Sequence, residues 1–420
     1  MFVVVTLLAA ILLAADLYVF KGIRSLAKNI TRNWIKKAIY WVYWVWSIFL
    51  IVATVLLIAN FQNISVQILE SKSFWLPFTC IALFLLNILP KLTFLIFHLI
   101  EDIIWLGTKG ISKIKPKSKP AGKPISRSTF LSQLGLILAG IQFSWFFYGF
   151  TKGKFNFRVL EESLAFDKLP EAFHGLKIVQ ISDLHLGSFY EHFNEVERGI
   201  DLVNSLNPDV IFFTGDLVNN YSWEIDGWEG ILSKLKAKHG VYSIMGNHDY
   251  GDYGYFASEE DKQKSVSEVK SRQQEFGFNL LNNQLVKLQK DGEYIELIGV
   301  ENWGKTSRTN PGNLAEALKE SRQESFKILL SHDPTHWEEE VKDKTDIDLT
   351  LSGHTHGMQF GVEIPGFRWS PAQYLYTYWA GLYQTANQSL YVNRGFGNTI
   401  APGRVGMKPE ITVINLLKKT

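Results

Sequence analysis

Cysteine is almost absent: Cys80 stands alone in 420 residues. That excludes an intramolecular disulfide framework and any multi-thiolate zinc or iron–sulfur site. It leaves the compartment open, because a chain without disulfides folds on either side of a membrane. No Gly-rich P-loop is present, so nothing supports an ATP-driven mechanism. Acidic residues are scarce at the amino-terminal end, where residues 1–150 hold 15 Lys/Arg and only 4 Asp/Glu. The remaining 270 hold 28 and 37, so the overall charge of +2 conceals a +11 part followed by a −9 part. The acidic part offers no general basic surface for DNA or RNA. With 46% hydrophobic and 14% aromatic residues the chain is not intrinsically disordered, and its length accommodates two or three domains.

Long apolar runs are plentiful in the basic part. Phe2–Phe20 carries one acid, Asp16, while Tyr40–Asn60 is uncharged and opens with Trp and Tyr residues of the kind found at membrane interfaces. Trp75–Trp105 is longer and interrupted by Pro90-Lys91, and Phe130–Phe150 is again uncharged. About 20 apolar residues span a bilayer as a helix, so four crossings are expected. Residues 21–39 carry six Lys/Arg and residues 106–129 carry seven, neither with an acid, whereas 61–74 holds only Glu70 and Lys72. The positive-inside rule places both basic loops in the cytoplasm and 61–74 outside, so a multi-pass protein with an extracytoplasmic carboxy-terminal domain is expected. A re-entrant 75–105, bent at Pro90-Lys91, would reverse that placement.

These readings divide the chain into a membrane module (1–107), a basic Lys/Pro/Ser/Gly linker (108–129), a fourth crossing or uncleaved export-signal anchor (130–150) and a carboxy-terminal domain (151–420). Ser126-Arg127-Ser128-Thr129-Phe130-Leu131 resembles a twin-arginine export signal, with Ser128 where the second arginine belongs.

From about Phe155 short β runs alternate with helical stretches: strands at 177–182, 210–214, 241–245, 280–288, 294–300, 327–331 and 349–351, helices at 193–206, 224–238, 258–276 and 313–321. This alternation predicts an α/β layered domain, in which ligands sit beyond the carboxyl ends of the strands. Five motifs fall there: Asp183-Leu184-His185, Gly215-Asp216, Gly246-Asn247-His248-Asp249, Ser331-His332-Asp333 and Gly353-His354-Thr355-His356-Gly357. Each alone reads as a turn or helix cap. Together they set five of the chain's ten histidines after apolar strands, beside carboxylates and an amide. Burying so many polar groups in one place is costly unless they bind a cation. Imidazole, carboxylate and amide oxygen without thiolate suit Mn, Fe or Zn, and are too nitrogen-rich for Mg or Ca.

The ordered motifs, spanning roughly 175–360, resemble the calcineurin-like metallophosphoesterase superfamily, and LSGHTHGMQF with YVNRGFGNT resembles its bacterial membrane-associated branch. That branch usually reads GHTHGGQ, so Met358 departs from it. The resemblance implies a layered metallophosphoesterase β-sandwich flanked by helices, preceded by an α-helical transmembrane module. It implies two divalent transition-metal ions, one held by Asp183, His185, Asp216 and His356, the other by Asp216, Asn247, His332 and His354. Such a pair clamps a phosphate and activates water at neutral pH. His248 is then the general acid or transition-state stabiliser, oriented by Asp249.

Arg394 and Arg404, in a Gly-rich tail, are candidates for binding substrate phosphate, against surface or structural roles. His336 reads as a helix-start residue, and Trp303, Trp369, Tyr374, Tyr376 and Trp379 as packing residues or the lining of an apolar groove.

The expected activity is hydrolysis of phosphomonoesters or phosphodiesters. A domain tethered to the bilayer favours substrates confined there, such as a phospholipid or a lipid-linked phosphate or diphosphate. A nuclease or cyclic-nucleotide phosphodiesterase is the alternative enzyme, with DNA disfavoured by the −9 charge; an inactive metal-binding membrane scaffold is the non-enzyme alternative. The sequence leaves the oligomeric state unassigned.

Overall fold

A computed structural model describes residues 2–59, 68, 71–112, 127–399 and 401–419. Most of the expected linker lies outside the described residues. The chain forms two compact units: Met1–Ile64 with Leu76–Tyr148, and Ser65–Trp75 with Gly149–Thr420.

Four long helices carry the first unit: α1 (Phe2–Leu26), α2 (Asn33–Ala59), α3 (Trp75–Ser112) and α4 (Arg127–Thr151). Among the described residues, Asn33–Leu56, Trp75–Gly107 and Phe130–Thr151 are long and apolar enough to cross a membrane. The 25-residue α1 covers the remaining apolar run. The 38 residues of α3 form one helix that includes Pro90. Two charges deep in these apolar runs, Asp16 and Lys91, are paired with one another, as hydrocarbon demands. Lys91 Nζ lies 2.6 Å from Asp16 Oδ1, which also accepts from the Tyr43 hydroxyl at 2.6 Å and the Ser47 hydroxyl at 2.9 Å.

The second unit is built on two six-stranded sheets. The first runs in the order β1 (Arg158–Phe166), β14 (Glu410–Lys418), β2 (Leu176–Ile181), β3 (Val210–Phe213), β4 (Val241–Ser243), β5 (Phe278–Leu280). The second runs β12 (Gly381–Gln384), β13 (Ser389–Val392), β9 (Leu349–Ser352), β8 (Lys327–Leu330), β7 (Glu293–Gly299), β6 (Gln284–Lys290). A separate hairpin pairs β10 (Val362–Ile364) with β11 (Phe367–Trp369). Alternation along each strand explains the layering. Ile178, Phe212, Leu297, Ile328, Leu351 and Tyr391 share the core between the sheets. The intervening Val179, Ile211 and Phe213 pack with α5 (Phe193–Ser205) and α6 (Glu259–Glu275) on the outer face. Both sheets are thereby covered, and the helix-flanked α/β sandwich is the architecture expected.

Several element readings need correction. No helix spans 224–238: a 3-10 turn at Ser222–Ile225 and a single turn at Glu229–Leu232 are separated by Gly227 at φ +86°. The strand expected at 280–288 divides into β5 and β6 around Asn283, at φ +54°. The helix expected at 313–321 shrinks to Leu314–Ala317.

Candidate metal centre

All five motifs leave the carboxyl ends of parallel-paired strands. Asp183 and His185 follow β2, Asp216 follows β3, Asn247 follows β4, His332 follows β8, and His354 and His356 follow β9. The strands of the two sheets thus deliver their polar loops to a common edge. Close backbone approach is needed there. A Cβ on Gly246 would collide with the Asp216 carboxylate, and one on Gly353 with the Ser182 hydroxyl and Asp183 carboxylate.

Three overlapping His/Asp groups result among the described residues, each with ligand atoms within 4.8 Å of one another: Asp183, His185 and His356; His185, Asp216 and His248; and Asp216, His332 and His354. In the first, His356 Nε2 lies 3.1 Å from Asp183 Oδ1 and 3.0 Å from His185 Nε2. His185 Nε2 is 3.6 Å from Asp216 Oδ2, the same oxygen that lies 3.1 Å from His332 Nε2. Asn247 Oδ1 completes the third group, 3.0 Å from His332 Nε2 and 2.8 Å from His354 Nδ1. Apart from His248 and His354, these side chains are buried. The donor set therefore fits a pair of metal cations, with Asp216 standing between the two groups of ligands.

The electrostatics are those of a centre that needs positive charge. Burial disfavours the Asp183 carboxylate, yet His356 beside it outweighs that and holds it below the ordinary value. Burial also lowers His332, but the adjacent Asp216 carboxylate reverses this and raises it to about 10. Burial keeps His185 and His356 below the ordinary imidazole value, in the neutral form that ligates metal.

His248 stands at the seam. Its backbone N–H donates to Asp216 Oδ1 at 2.8 Å, and its ring lies 4.8 Å from that of His185. Its Nδ1 meets the Asn219 carbonyl at 2.7 Å. Asp249 therefore does not orient the imidazole, contrary to expectation. Its carboxylate instead accepts backbone N–H bonds from Asp216, Leu217, Val218 and Gly246, tying the β3 and β4 loops together.

Arg394 and Arg404 also depart from the phosphate-binding expectation, because buried guanidinium groups require internal partners. Arg394 is ion-paired to Glu363 at 2.8 Å and Glu410 at 3.0 Å. Arg404 donates to the carbonyls of Gly397 and Arg394 and lies 3.1 Å from His356 Nδ1. Arg404 thus braces the ligand loop at His356 from behind, and Arg394 is tied to it through its carbonyl.

Among the remaining candidates, His336 is buried on Ser331, Glu340 and the Trp303 ring, away from the ligand set. The Tyr376 hydroxyl reaches His354 Nε2 at 3.3 Å. Met358, where the branch usually has glycine, sits at φ +50° with its side chain 40% exposed.

Sequence reasoning missed Glu224. Its buried carboxylate takes N–H bonds from Gly187, Asn219, Asn220 and Tyr221, fixing the loop whose Asn219 carbonyl holds His248. It also missed Tyr253, whose hydroxyl accepts from the Asn247 amide at 3.0 Å. Asp333, 3.6 Å from His354 Nε2, lay inside a recognised motif.

Comparison with known proteins agrees with this geometry. Residues 1–154 match the family described as "Probable Calcineurin-like phosphoesterase, transmembrane domain", and residues 176–358 match "Calcineurin-like phosphoesterase". An uncharacterized metallophosphoesterase of Bacillus subtilis, YkuE, is 32% identical over 306 residues, covering 70% of this chain and 98% of that protein. A Danio rerio "Transmembrane protein with metallophosphoesterase domain" is 29% identical over 315 residues, 73% of this chain and 67% of that one. An uncharacterized metallophosphoesterase of Helicobacter pylori is 29% identical over 290 residues, 68% of this chain and 70% of that one. With buried His/Asp clusters at the strand ends and a helical membrane module ahead of them, the chain belongs to the calcineurin-like metallophosphoesterases that carry a transmembrane domain.

Proposed function

We propose that this membrane-anchored enzyme hydrolyses phosphomonoesters or phosphodiesters on the extracytoplasmic side, with a lipid-linked phosphate or diphosphate as substrate. Asp183, His185, Asp216 and His356 would hold one divalent cation; Asp216, Asn247, His332 and His354 would hold the other. When bound, such a pair supplies Lewis acidity to the phosphoryl oxygens and makes water nucleophilic at neutral pH. The observation that carries this reading is the convergence of His185, His332 and Asn247 around the paired carboxylates Asp183 and Asp216.

The chain's own groups do the rest. Asp183 and Asp216 supply the negative charge that fixes the cations, while Arg404 and Thr214 orient imidazoles through their outer nitrogens. His248 spends Nδ1 on the Asn219 carbonyl, so Nε2 is the nitrogen that passes a proton to the leaving oxygen.

The extracytoplasmic placement draws support from residues Lys72–Trp75, between the second and third spans. Phe74 is buried in the catalytic unit, stacking on Trp223 at 5.7 Å, and its carbonyl accepts from the Tyr190 hydroxyl at 3.3 Å. That unit therefore shares a side with the loop that the charge rule places outside.

The test is metal analysis of the purified full chain together with a panel of mono-, di- and lipid phosphoesters. About two metals per chain are expected, and His248→Ala should lower kcat by roughly 10²-fold with metal retained. Loss of both metals in that variant, or undiminished turnover, would refute the assignment.

A further inference from the structure

Between residues 152 and 420, seven large apolar side chains among the described residues are exposed: Tyr253, Tyr255, Met358, Ile364, Phe367, Tyr374 and Leu375. They are not scattered. Five fall within residues 358–375, directly after ligand His356. Tyr253 lies against the ring of His248, at 4.5 Å between centroids, with Tyr255 two residues on. The exposed apolar surface of the catalytic unit thus belongs to the rim of its metal centre, and clustering of this kind marks an interaction surface.

The chain invests in presenting this rim. β10 and β11 pair over only three residues each, joined by Pro365-Gly366 with Gly366 at φ +78°, and set Ile364 opposite Phe367 at the exposed tip. So short a hairpin is not stable by itself. It is held from its base by the Gly361 N–H to the Val405 carbonyl at 2.9 Å and by Glu363, which pairs with Arg158 at 2.9 Å and Arg394 at 2.8 Å. Trp369 Nε1 reaches the Tyr374 hydroxyl at 3.4 Å, joining the hairpin to the Tyr374-Leu375 turn. The rim is also coupled to the ligand loop, since the Ser370 hydroxyl donates to the Gly357 carbonyl at 2.7 Å and Tyr376 meets His354.

One contact chain says what covers this surface. Val405, which holds the hairpin base, follows Arg404, whose N–H donates to the carbonyl of Gly149 at 3.2 Å. Gly149 lies in the last turn of the apolar span Phe130–Thr151. The hairpin is therefore built directly onto the point where the chain leaves the bilayer. Its composition, with Ile, Phe and Leu beside Arg368, Trp369 and Tyr374, is that of segments lying in the headgroup–acyl boundary.

We propose that this rim docks into the bilayer surface and admits the acyl chains of a lipid phosphate whose headgroup enters the metal centre. The substrate half of this statement rests on the lipid-phosphate reading above; the docking half does not.

The two halves are separated by experiment on the full chain in phosphatidylcholine/phosphatidylglycerol nanodiscs. In a Cys80→Ser background, single cysteines replacing Ile364, Phe367 and Leu375 carry nitroxides, with Asp291→Cys as control on the exposed β6–β7 turn. At the three rim sites, relaxation by oxygen should exceed that by a water-soluble nickel chelate, with the reverse at residue 291. Nickel accessibility equal to the control at all three would overturn the docking. Separately, combined Ile364→Ser, Phe367→Ser and Leu375→Ser should slow hydrolysis of nanodisc-embedded long-chain phosphatidic acid about tenfold. Hydrolysis of p-nitrophenyl phosphate should stay within twofold. An equal loss on both substrates would overturn a lipid-specific role for the rim. Immersed labels with no lipid phosphate hydrolysed would uphold the docking and refute the substrate reading.

Discussion

Asp183, His185, Asp216, His354 and His356 all hold positive φ, between 47° and 72°. Asp and His tolerate this left-handed region better than most residues, yet each such position costs about 1–3 kcal/mol and persists only where its surroundings over-determine it. Those surroundings include Asp249, which accepts from the Asp216 N–H, and Arg404, which meets His356 Nδ1, while Glu224 fixes the loop whose Asn219 carbonyl holds His248. The motif residues were legible because they stand together after apolar strands. Glu224 was not, because its role exists only once the Asn219–Tyr221 turn folds over it. Its two oxygens accept from five N–H groups, so Glu224→Gln forces an amide NH₂ against donors and displaces the Asn219 carbonyl from His248. The expected result is a kcat lowered on the order of tenfold or more at unchanged metal content, since small misplacements are costly in preorganised sites. Adding Glu224→Gln to His248→Ala should lower kcat no further. A fully additive loss in the double variant would limit Glu224 to a structural role.

At the level of elements, the membrane helices were legible because uninterrupted apolar runs have few alternative fates. Their pairing was not, since Asp16 and Lys91 are 75 positions apart and each alone looks like an imperfection. In the folded unit they neutralise one another, with Tyr43 and Ser47 filling the remaining sites on Asp16. Lys91→Met leaves a buried carboxylate without its cation and should destabilise the membrane unit by about 3–5 kcal/mol, whereas Asp16→Asn with Lys91→Met should recover most of the loss. Thermal unfolding in detergent reads this directly; equal midpoints for wild type and Lys91→Met would contradict it. In the catalytic unit the buried strands β2, β3, β8 and β9 announced themselves by short, largely apolar runs ending in polar loops. The 224–238 stretch misled because its apolar spacing suits a helix while Gly227, in a left-handed conformation, ends the turn.

For the whole molecule, charge asymmetry carries the topological expectation: two acid-free basic loops point to the cytoplasmic side, with the acidic unit expected on the other. The apolar span Phe130–Thr151 stands between the 106–129 loop and the catalytic unit, so the same expectation puts the two on opposite sides. Alkaline phosphatase joined after Thr420 should therefore be active in intact cells, and green fluorescent protein at the same point dark. The opposite pair of results would place the unit in the cytoplasm and remove the extracytoplasmic reading.

The position of β14 has a consequence for biogenesis. It lies between β1 and β2, bonded to both, although about 240 residues separate it from β1 along the chain. At a synthesis rate of about 5–20 residues per second, β1 and β2 wait on the order of 10–50 s for the strand that joins them. Glu410, the first residue of β14, is also the partner of Arg394 and Tyr391 behind the ligand loop. A nascent chain therefore has no braced metal centre, and hydrolytic competence arrives in one late step, after the membrane helices have already been committed to the bilayer.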